Sequence, residues 1–294
     1  MTPRTVEVVR AGALTTVQDG GRAGLAHLGV PPSGALDQRA LGLANRLLGN
    51  PPGAAALETT LNGVALRPDA NCRVAVTGAP AAVSLDGHPA AWGAAVDVPA
   101  GARFEVGPAS AGLRSYVAVG GGVGTELVLG SRSHDVLSGL GPAPLRDGDR
   151  LPLGDAPDSG PPAVDVAPQP APPVALDLTL WDGPRRGRLA NDGQATLRGG
   201  AWTVASASNR IGLRLEGPAL ALSSDEELRS EGIVTGAVQV PPDGRPVIFL
   251  RDHPTTGGYP VIGVIDPDDL SACAQARPGT PVRFHPRAVG WAAR

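Results

Sequence analysis

The chain contains no lysine: all 25 of its basic residues are arginine. This excludes a P-loop, a Schiff-base lysine and a lysine on which biotin is carried. A genome rich in G and C produces the same bias toward Arg, Ala, Gly and Pro, so the missing lysine reads as codon usage. Aromatic residues are 3% of the chain, too sparse for a base-stacking surface, and a net charge of −3 leaves no footprint for nucleic acid. The two cysteines, Cys72 and Cys273, form no C-x-x-C and read as buried thiols. The five histidines are scattered, with no H-E-x-x-H or H-x-H spacing, so no metal ligand is assigned. No segment approaches ~18 consecutive apolar residues, and the N-terminus leads into a strand-like run with no apolar signal core. A soluble, cytoplasmic protein without membrane association is expected.

What is abundant is turn-forming residue. Glycine and proline together account for 72 of the 294 residues, about twice the usual share. With 42% hydrophobic residues the chain has enough to bury a core, so it reads as many short elements joined by many turns. The fold class expected is all-β, mainly strands with a few short helices.

Alternating runs at Thr5 to Arg10, Arg73 to Thr77, Arg103 to Val106, Arg114 to Val119 and Val174 to Leu180 read as strands. Gly232 to Val240 and Arg245 to Leu250 read as a hairpin through Pro241-Pro242-Asp243-Gly244. There Pro presets φ, Asp caps its own backbone and Gly takes the positive φ. A helix is expected over about 33–49: Ser33 can cap it, Leu36, Ala40, Leu43, Ala44, Leu47 and Leu48 share a face, and Gly49-Asn50-Pro51 stops it. A shorter helix is expected to start at Asp266 with Pro267 in its first turn, and everything else to be strand or turn. The proline-rich segment 155–173 divides the chain into an N-terminal half, 1–154, and a C-terminal half, 174–294. Sliding the sequence by 188 positions lays TTVQDGGRAGLAHLG on TVASASNRIGLRLEG. Duplication and a Gly-, Leu- and Arg-rich composition both produce such matches, and the sequence leaves them open.

Catalytic signatures are scarce. No G-x-S-x-G elbow occurs, and Gly120-Gly121-Gly122-Val123-Gly124 is followed by Thr125 where a dinucleotide fingerprint needs its third glycine, so a tight turn is expected. Three polar clusters remain. The first runs from Gln18-Asp19-Gly20-Gly21-Arg22 to Ser33 and Asp37, the second is Ser208-Asn209-Arg210-Ile211-Gly212, and the third is Arg251-Asp252-His253-Pro254-Thr255-Thr256-Gly257-Gly258-Tyr259-Pro260. In the third, two hydroxyls followed by two glycines suit an anion-binding concavity, and a nearby Asp and His could move protons; a plain hairpin loop fits the spacing as well. Arg210 offers a fork for carboxylate or phosphate, and Asn209 can donate and accept; a turn with a surface ion pair fits the pattern equally well. Gln239, in Val-Gln-Val, alternates away from the core and could line a cleft.

At these clusters the chain resembles the family of the 5-oxoprolinase C subunit, also described as KipA-like proteins and allophanate hydrolase subunit 2. The same domain is found in the carboxyltransferase part of urea amidolyase. The stretches that carry the resemblance include TVQDGGRAGLAHLGVPPSGALDQRALGLANRLLGN, ALETTLNG, RSYVAVGGG, LGSRS, SNRIGLRLEGP, GAVQVPPDGRPVIFLRD and TTGGYPVIGVI. They span nearly the whole chain in order. The resemblance implies a cyclophilin-like β-barrel architecture, two related barrel halves if the repeat is real, and the SNRIG and TTGGYP motifs in the C-terminal half. It implies one component of an ATP-dependent enzyme that opens the lactam of 5-oxoproline to glutamate, with ATP and Mg2+ as cofactors. The site would be shared with a KipI-like partner, the B-type subunit, beside a lactam hydrolase, the A-type subunit. Two alternatives follow from the same resemblance: a regulatory protein antagonising a KipI-like sensor-kinase inhibitor, and a carboxyltransferase component using biotin carried on another protein. The residues carried over are Arg210, Asn209 and Asp252 as catalytic candidates. Ser208, Gln239, Thr255, Thr256, Gly257, Gly258, Tyr259, Asp19, Arg22, Ser33, Asp37 and Asn45 are substrate- or nucleotide-binding candidates. Asp252-His253-Pro254 departs from the family's usual Asp-Arg-Gln, which removes a basic contact at 253.

Overall fold

The computed structural model describes residues 4–155, 166–224 and 228–288. The chain forms two compact units: Met1–Arg22, Ser33–Asp135 and Gly139–Pro172 make the first, and Ala23–Pro32, Val136–Ser138 and Pro173–Arg294 the second. Part of the expected linker belongs to the first unit. The Ala167 N–H donates to the Gly93 carbonyl and Gln169 Oε1 accepts the Gly78 N–H, both at 2.8 Å. Residues 156–165 of that segment lie outside the described residues.

The first unit is built from β1 (Thr5–Arg10), β2 (Leu14–Gln18), α1 (Gln38–Leu47), β3 (Ala56–Thr60), β4 (Ala65–Pro68), β5 (Cys72–Gly78), β6 (Ala81–Leu85), β7 (His88–Ala90), β8 (Ala95–Val98), β9 (Phe104–Ala109), β10 (Arg114–Val119) and β11 (Arg150–Pro152). They form a six-stranded sheet, β11-β1-β4-β9-β6-β7, and a five-stranded sheet, β2-β3-β10-β5-β8. β10 is buried along its whole length because the two faces of its sheet are both covered. Val117 and Val119 enter the core with Val8, Leu66 and Phe104 of the other sheet, while Tyr116 and Ala118 lie under α1. Small residues on that second face, Ala56, Ala75 and Ala118, let Leu41, Ala44 and Leu47 of the helix pack closely on the strands.

The helix starts later than its pattern suggested. Ser33 is not its cap; it stands buried with a left-handed φ of 51°. Asp37 caps instead, its Oδ1 accepting the Ala40 N–H at 3.0 Å, because that carboxylate directly precedes the first helical residue. The Gly120 to Gly124 segment is a tight turn, as its glycines imply: Gly121 has φ 94°, and a Cβ there would lie 2.3 Å from the Gly154 carbonyl oxygen.

The second unit contains β12 (Leu176–Asp182), α2 (Asn191–Gly199), β13 (Trp202–Val204), β14 (Gly212–Glu216), β15 (Glu231–Gly232), β16 (Ala237–Gln239), β17 (Val247–Phe249), β18 (Thr256–Gly257), β19 (Val261–Ile265), α3 (Leu270–Gln275) and β20 (Pro281–Arg287). Seven strands close a barrel in the order β12-β19-β16-β17-β14-β13-β20, and β20 returns to β12 in parallel. Leu178, Leu180, Leu213, Leu215, Val238, Ile248 and Ile262 are fully or almost fully buried. Trp202 and Phe284 meet at a tilt with ring centroids 5.3 Å apart, and the indole N–H donates to the Pro218 carbonyl.

The β16–β17 hairpin has the turn its sequence called for: the Gly244 N–H bonds the Pro241 carbonyl, Gly244 has φ 74°, and Asp243 Oδ1 accepts the Arg245 N–H. The second short helix is also where it was expected, Asp266 accepting the Asp268 N–H ahead of a 3-10 turn that runs into α3. α2 has no clear sequence signature, since NDGQATLRG has two glycines and little apolar periodicity. It forms by packing on β20, with Leu197 fully buried and Gly193 where a Cβ would lie 2.2 Å from the Ala221 carbonyl oxygen. The closed barrel belongs to the C-terminal half; the N-terminal half consists of two sheets. Among the described residues no helix is long and apolar enough to cross a membrane.

The cap gives the first test. Asp37→Ala removes the acceptor for Ala40 and is expected to cost about 1 kcal/mol in urea denaturation, with unchanged m-value.

Candidate functional site

In the first unit the polar candidates gather beyond the end of β2. Asp19 is almost wholly buried, so its carboxylate must be answered inside the protein. Its Oδ1 accepts the hydroxyls of Ser131 and Ser133, both at 2.6 Å, and the Gly21 N–H at 2.8 Å; its Oδ2 accepts the Arg132 N–H at 2.6 Å. Burial alone would raise the Asp19 pKa, but these four hydrogen bonds outweigh it and hold the carboxyl below its ordinary 3.8. Arg22 reaches the same loop, donating to the carbonyls of Ser133 and Val128. Ser33 donates to the His134 carbonyl at 2.9 Å, which also accepts from Gln18 Nε2. Asp19, Arg22 and Ser33 therefore converge on residues 128–134, which contain the Leu-Gly-Ser-Arg-Ser stretch.

Asp37 and Asn45 lie elsewhere in that unit. Asn45, fully buried, donates to the carbonyls of Pro52 and Ala54 and accepts from Asn50, fastening the chain as it leaves α1. The structure adds a network that the motifs do not mark. Glu58 of β3 and Tyr116 of β10 are cross-strand partners, and the Tyr116 hydroxyl donates to Glu58 Oε2 at 2.8 Å while accepting the Asp37 N–H at 2.7 Å. Glu58 Oε2 also accepts the Leu36 N–H, and Arg114 Nε lies 3.5 Å from Oε1. Burial, then the neighbouring Glu58 and Asp37 carboxylates, push the Tyr116 hydroxyl pKa well above its ordinary value, so it stays a neutral donor. A charged residue inside an apolar strand (Ala-Leu-Glu-Thr-Thr) was the available signal.

In the second unit the centre is Arg210 with Asp252. Pairing of β14 with β17 continues past both strands: Leu250 donates its N–H to Ile211 and Asp252 donates its N–H to Arg210. The side chains then meet in a two-point ion pair, Arg210 Nε to Asp252 Oδ2 at 2.8 Å and Nη2 to Oδ1 at 3.0 Å, with 2% and 0% of each exposed. Asp252 Oδ2 also accepts the Val136 N–H. The guanidinium fork, read from sequence as a contact for an external anion, is thus engaged by Asp252.

Ser208 and Asn209 shape the turn into β14. Ser208 Oγ accepts the Arg214 N–H, and Asn209 Oδ1 accepts the Ile211 N–H at 2.8 Å. Gln239 is buried rather than facing a cleft, because both faces of β16 are covered; its amide donates to the Tyr259 carbonyl at 3.1 Å. That bond anchors the Thr255–Tyr259 loop, of which Thr256 and Tyr259 are exposed. Thr256 and Gly257 pair with Gly232 and Glu231. Packing also explains Gly257, where a Cβ would lie 2.6 Å from Ile233 Cδ1. His253 is buried, its Nδ1 2.8 Å from the Pro254 carbonyl; since a carbonyl only accepts, Nδ1 carries the proton. Among the described residues no group of three or more His, Cys, Asp or Glu is arranged to hold a metal ion.

Comparison with known proteins places these motifs. Residues 28–286 match the family described as carboxyltransferase domain, subdomain A and B. The 5-oxoprolinase C subunit of Escherichia coli (strain K12) is 37% identical over 289 residues, which cover 95% of this chain and 90% of that protein. The urea amidolyase of Lachancea kluyveri is 33% identical over 97% of this chain, but the chain spans only 17% of it. The crystal structure of TTHA0988 superposes with a TM-score of 0.88 at 35% identity; it matches 97% of this chain, and this chain spans 56% of it.

The Asp19 cluster predicts an acid-sensitive loop. Because the folded pKa is lowered, the stabilisation is complete above the ordinary value near 3.8 and is lost as pH falls through the folded value. Asp19→Asn should remove that part of the pH dependence of urea unfolding below pH 4 and cost on the order of 2 kcal/mol at neutral pH. An unchanged acid limb would show that the carboxylate does not hold the loop.

Proposed function

Because the chain belongs to the family of the carboxyltransferase domain, subdomains A and B, we propose that it is the C subunit of a heteromeric, ATP-dependent 5-oxoprolinase. The observation that carries this reading is the near full-length match to the Escherichia coli C subunit, which covers 95% of one chain and 90% of the other. In the proposed reaction the lactam of 5-oxoproline is opened to glutamate. The partners are a KipI-like protein, with which the site is shared, and a lactam hydrolase. The enzyme works in the cytoplasm.

A lactam is a poor electrophile, and ATP with Mg2+ supplies the phosphoryl group that turns its oxygen into a leaving group. The residues of the second unit fit a role in holding anionic oxygens through neutral donors. The hydroxyls of Thr255 and Thr256 and the backbone around Gly257 and Gly258 are of that kind, and Tyr259 is exposed beside them. Arg210 and Asp252 balance each other's charge, so in this reading they fix the geometry of the barrel end. The cationic groups that meet a polyphosphate come from Mg2+ and the partner proteins.

A second reading is favoured by the match to urea amidolyase: a carboxyltransferase component acting on biotin. Without lysine these 294 residues cannot carry biotin, so in that reading biotin is carried elsewhere.

Reconstitution separates the readings. The chain is co-purified with its KipI-like partner, mixed with the lactam hydrolase, and glutamate and ADP release from 5-oxoproline is followed with and without ATP. Strictly ATP-dependent glutamate, lost when this chain is omitted, is the expected result. A stable complex without turnover overturns it and directs the next assay to biotin-dependent urea carboxylation or a purely regulatory role.

A further inference from the structure

We propose that β15 is a strap across the Thr255–Gly258 loop, that it competes with anions for the loop's backbone, and that the Arg185–Glu231 ion pair is its latch. The inference concerns regulation of the loop to which the proposed function gives an anionic oxygen, and it rests on that reading.

β15 and β18 form a two-stranded sheet of their own, outside the barrel ladder. Glu231 stands opposite Gly257 and Gly232 opposite Thr256, and the pairing continues as the Ile233 N–H donates to the Thr255 carbonyl at 2.9 Å. The covering segment lies close: a Cβ at Gly258 would be 3.3 Å from the Leu228 carbonyl oxygen, as Gly257 meets Ile233. An anion-binding concavity needs backbone N–H groups that are not already paired. Antiparallel pairing turns the Gly257 N–H toward Glu231, so an anion taken by that N–H and the strap exclude each other.

The strap is held lightly. It contributes two residues to its sheet, and at its far end Gly236 takes a φ of 86° and Val234 is exposed. Its charged tie is Glu231, whose two carboxylate oxygens meet Arg185 Nε, at 3.0 Å, and Nη2. Arg185 is the fixed post, its N–H donating to the Val261 carbonyl of β19 in the barrel. Both side chains are about a third exposed, at 38% and 33%, so water and salt weaken the pair. The ion pair can open on its own, but Ile233 just beyond it is buried with Ala237, Phe249 and Val261, so the movement is confined to residues 231–232.

The full-length chain tests this in two ways. Glu231→Gln should speed amide hydrogen exchange at Gly257 about two- to fivefold and tighten inorganic phosphate binding by a similar factor. Gly232→Cys with Thr256→Cys places two thiols on directly opposed residues, with open space at 232 and an exposed 256. Thr256→Cys removes one hydroxyl donor, so the reduced pair should bind phosphate more weakly than the native chain, through Thr255 and the backbone. Oxidation should lock the strap and abolish that remaining binding until reduction restores it. Burial pushes the native Cys72 and Cys273 thiols up to about 11 and about 12, which keeps them out of the exchange. Unchanged exchange in Glu231→Gln, or equal phosphate binding by the oxidised and reduced pair, overturns the strap alone. Faster exchange with no phosphate bound by any form overturns the reading of the loop as an anion holder, and the competition with it.

Discussion

A carboxylate withdrawn from water must be met by donors, and in this protein three of them, Asp19, Glu58 and Asp252, draw distant segments together to meet that need. Asp19 collects Ser131, Arg132 and Ser133 from more than 110 residues away. Glu58 takes Tyr116 from the neighbouring strand and the Leu36 N–H ahead of α1, which sets where that helix begins. Asp252 takes Arg210, 42 residues earlier, and the Val136 N–H. The strands would form without these carboxylates, since their buried faces are apolar. The loops carrying the candidate motifs would have no fixed course.

That constraint shapes what the C-terminal barrel can offer chemically. An unpaired arginine would lend charge to a bound anion; an arginine held at two points by a buried aspartate lends position instead. Removing either partner leaves the other charge buried and unanswered, so the two residues act as a unit. The donors left for recognition are the hydroxyls and backbone of the Thr255–Tyr259 loop. Gln239 fixes that loop from beneath, and β15 covers its edge.

Much of the scaffold was legible because it follows from local chemistry. The β16–β17 turn, the Asp266 cap and the tight Gly120 turn each depend on residues next to one another. α2 was illegible because its stability comes from β20 and from the close approach at Gly193, neither visible in Asn-Asp-Gly-Gln-Ala. The Ser33 cap was misread for a related reason: a serine before an amphipathic run satisfies the local pattern, but its hydroxyl is drawn away to the His134 carbonyl. The Glu58 network and the commitment of Arg210 needed strand register, since Glu58 meets Tyr116 only when β3 and β10 are aligned. The family motifs mark stretches of chain and do not tell a residue that holds a loop from one that touches a ligand.

Arg210 and Asp252 form one buried unit that fixes the barrel end, and the proposed function requires that geometry. A double-mutant cycle of Arg210→Met and Asp252→Leu, followed by urea denaturation and by glutamate release in the reconstituted complex, tests it most directly. Each single change should cost about 3–5 kcal/mol, and the apolar pair should recover most of that loss and turnover with it. Additive losses, or a double variant that recovers its stability without turnover, would contradict it.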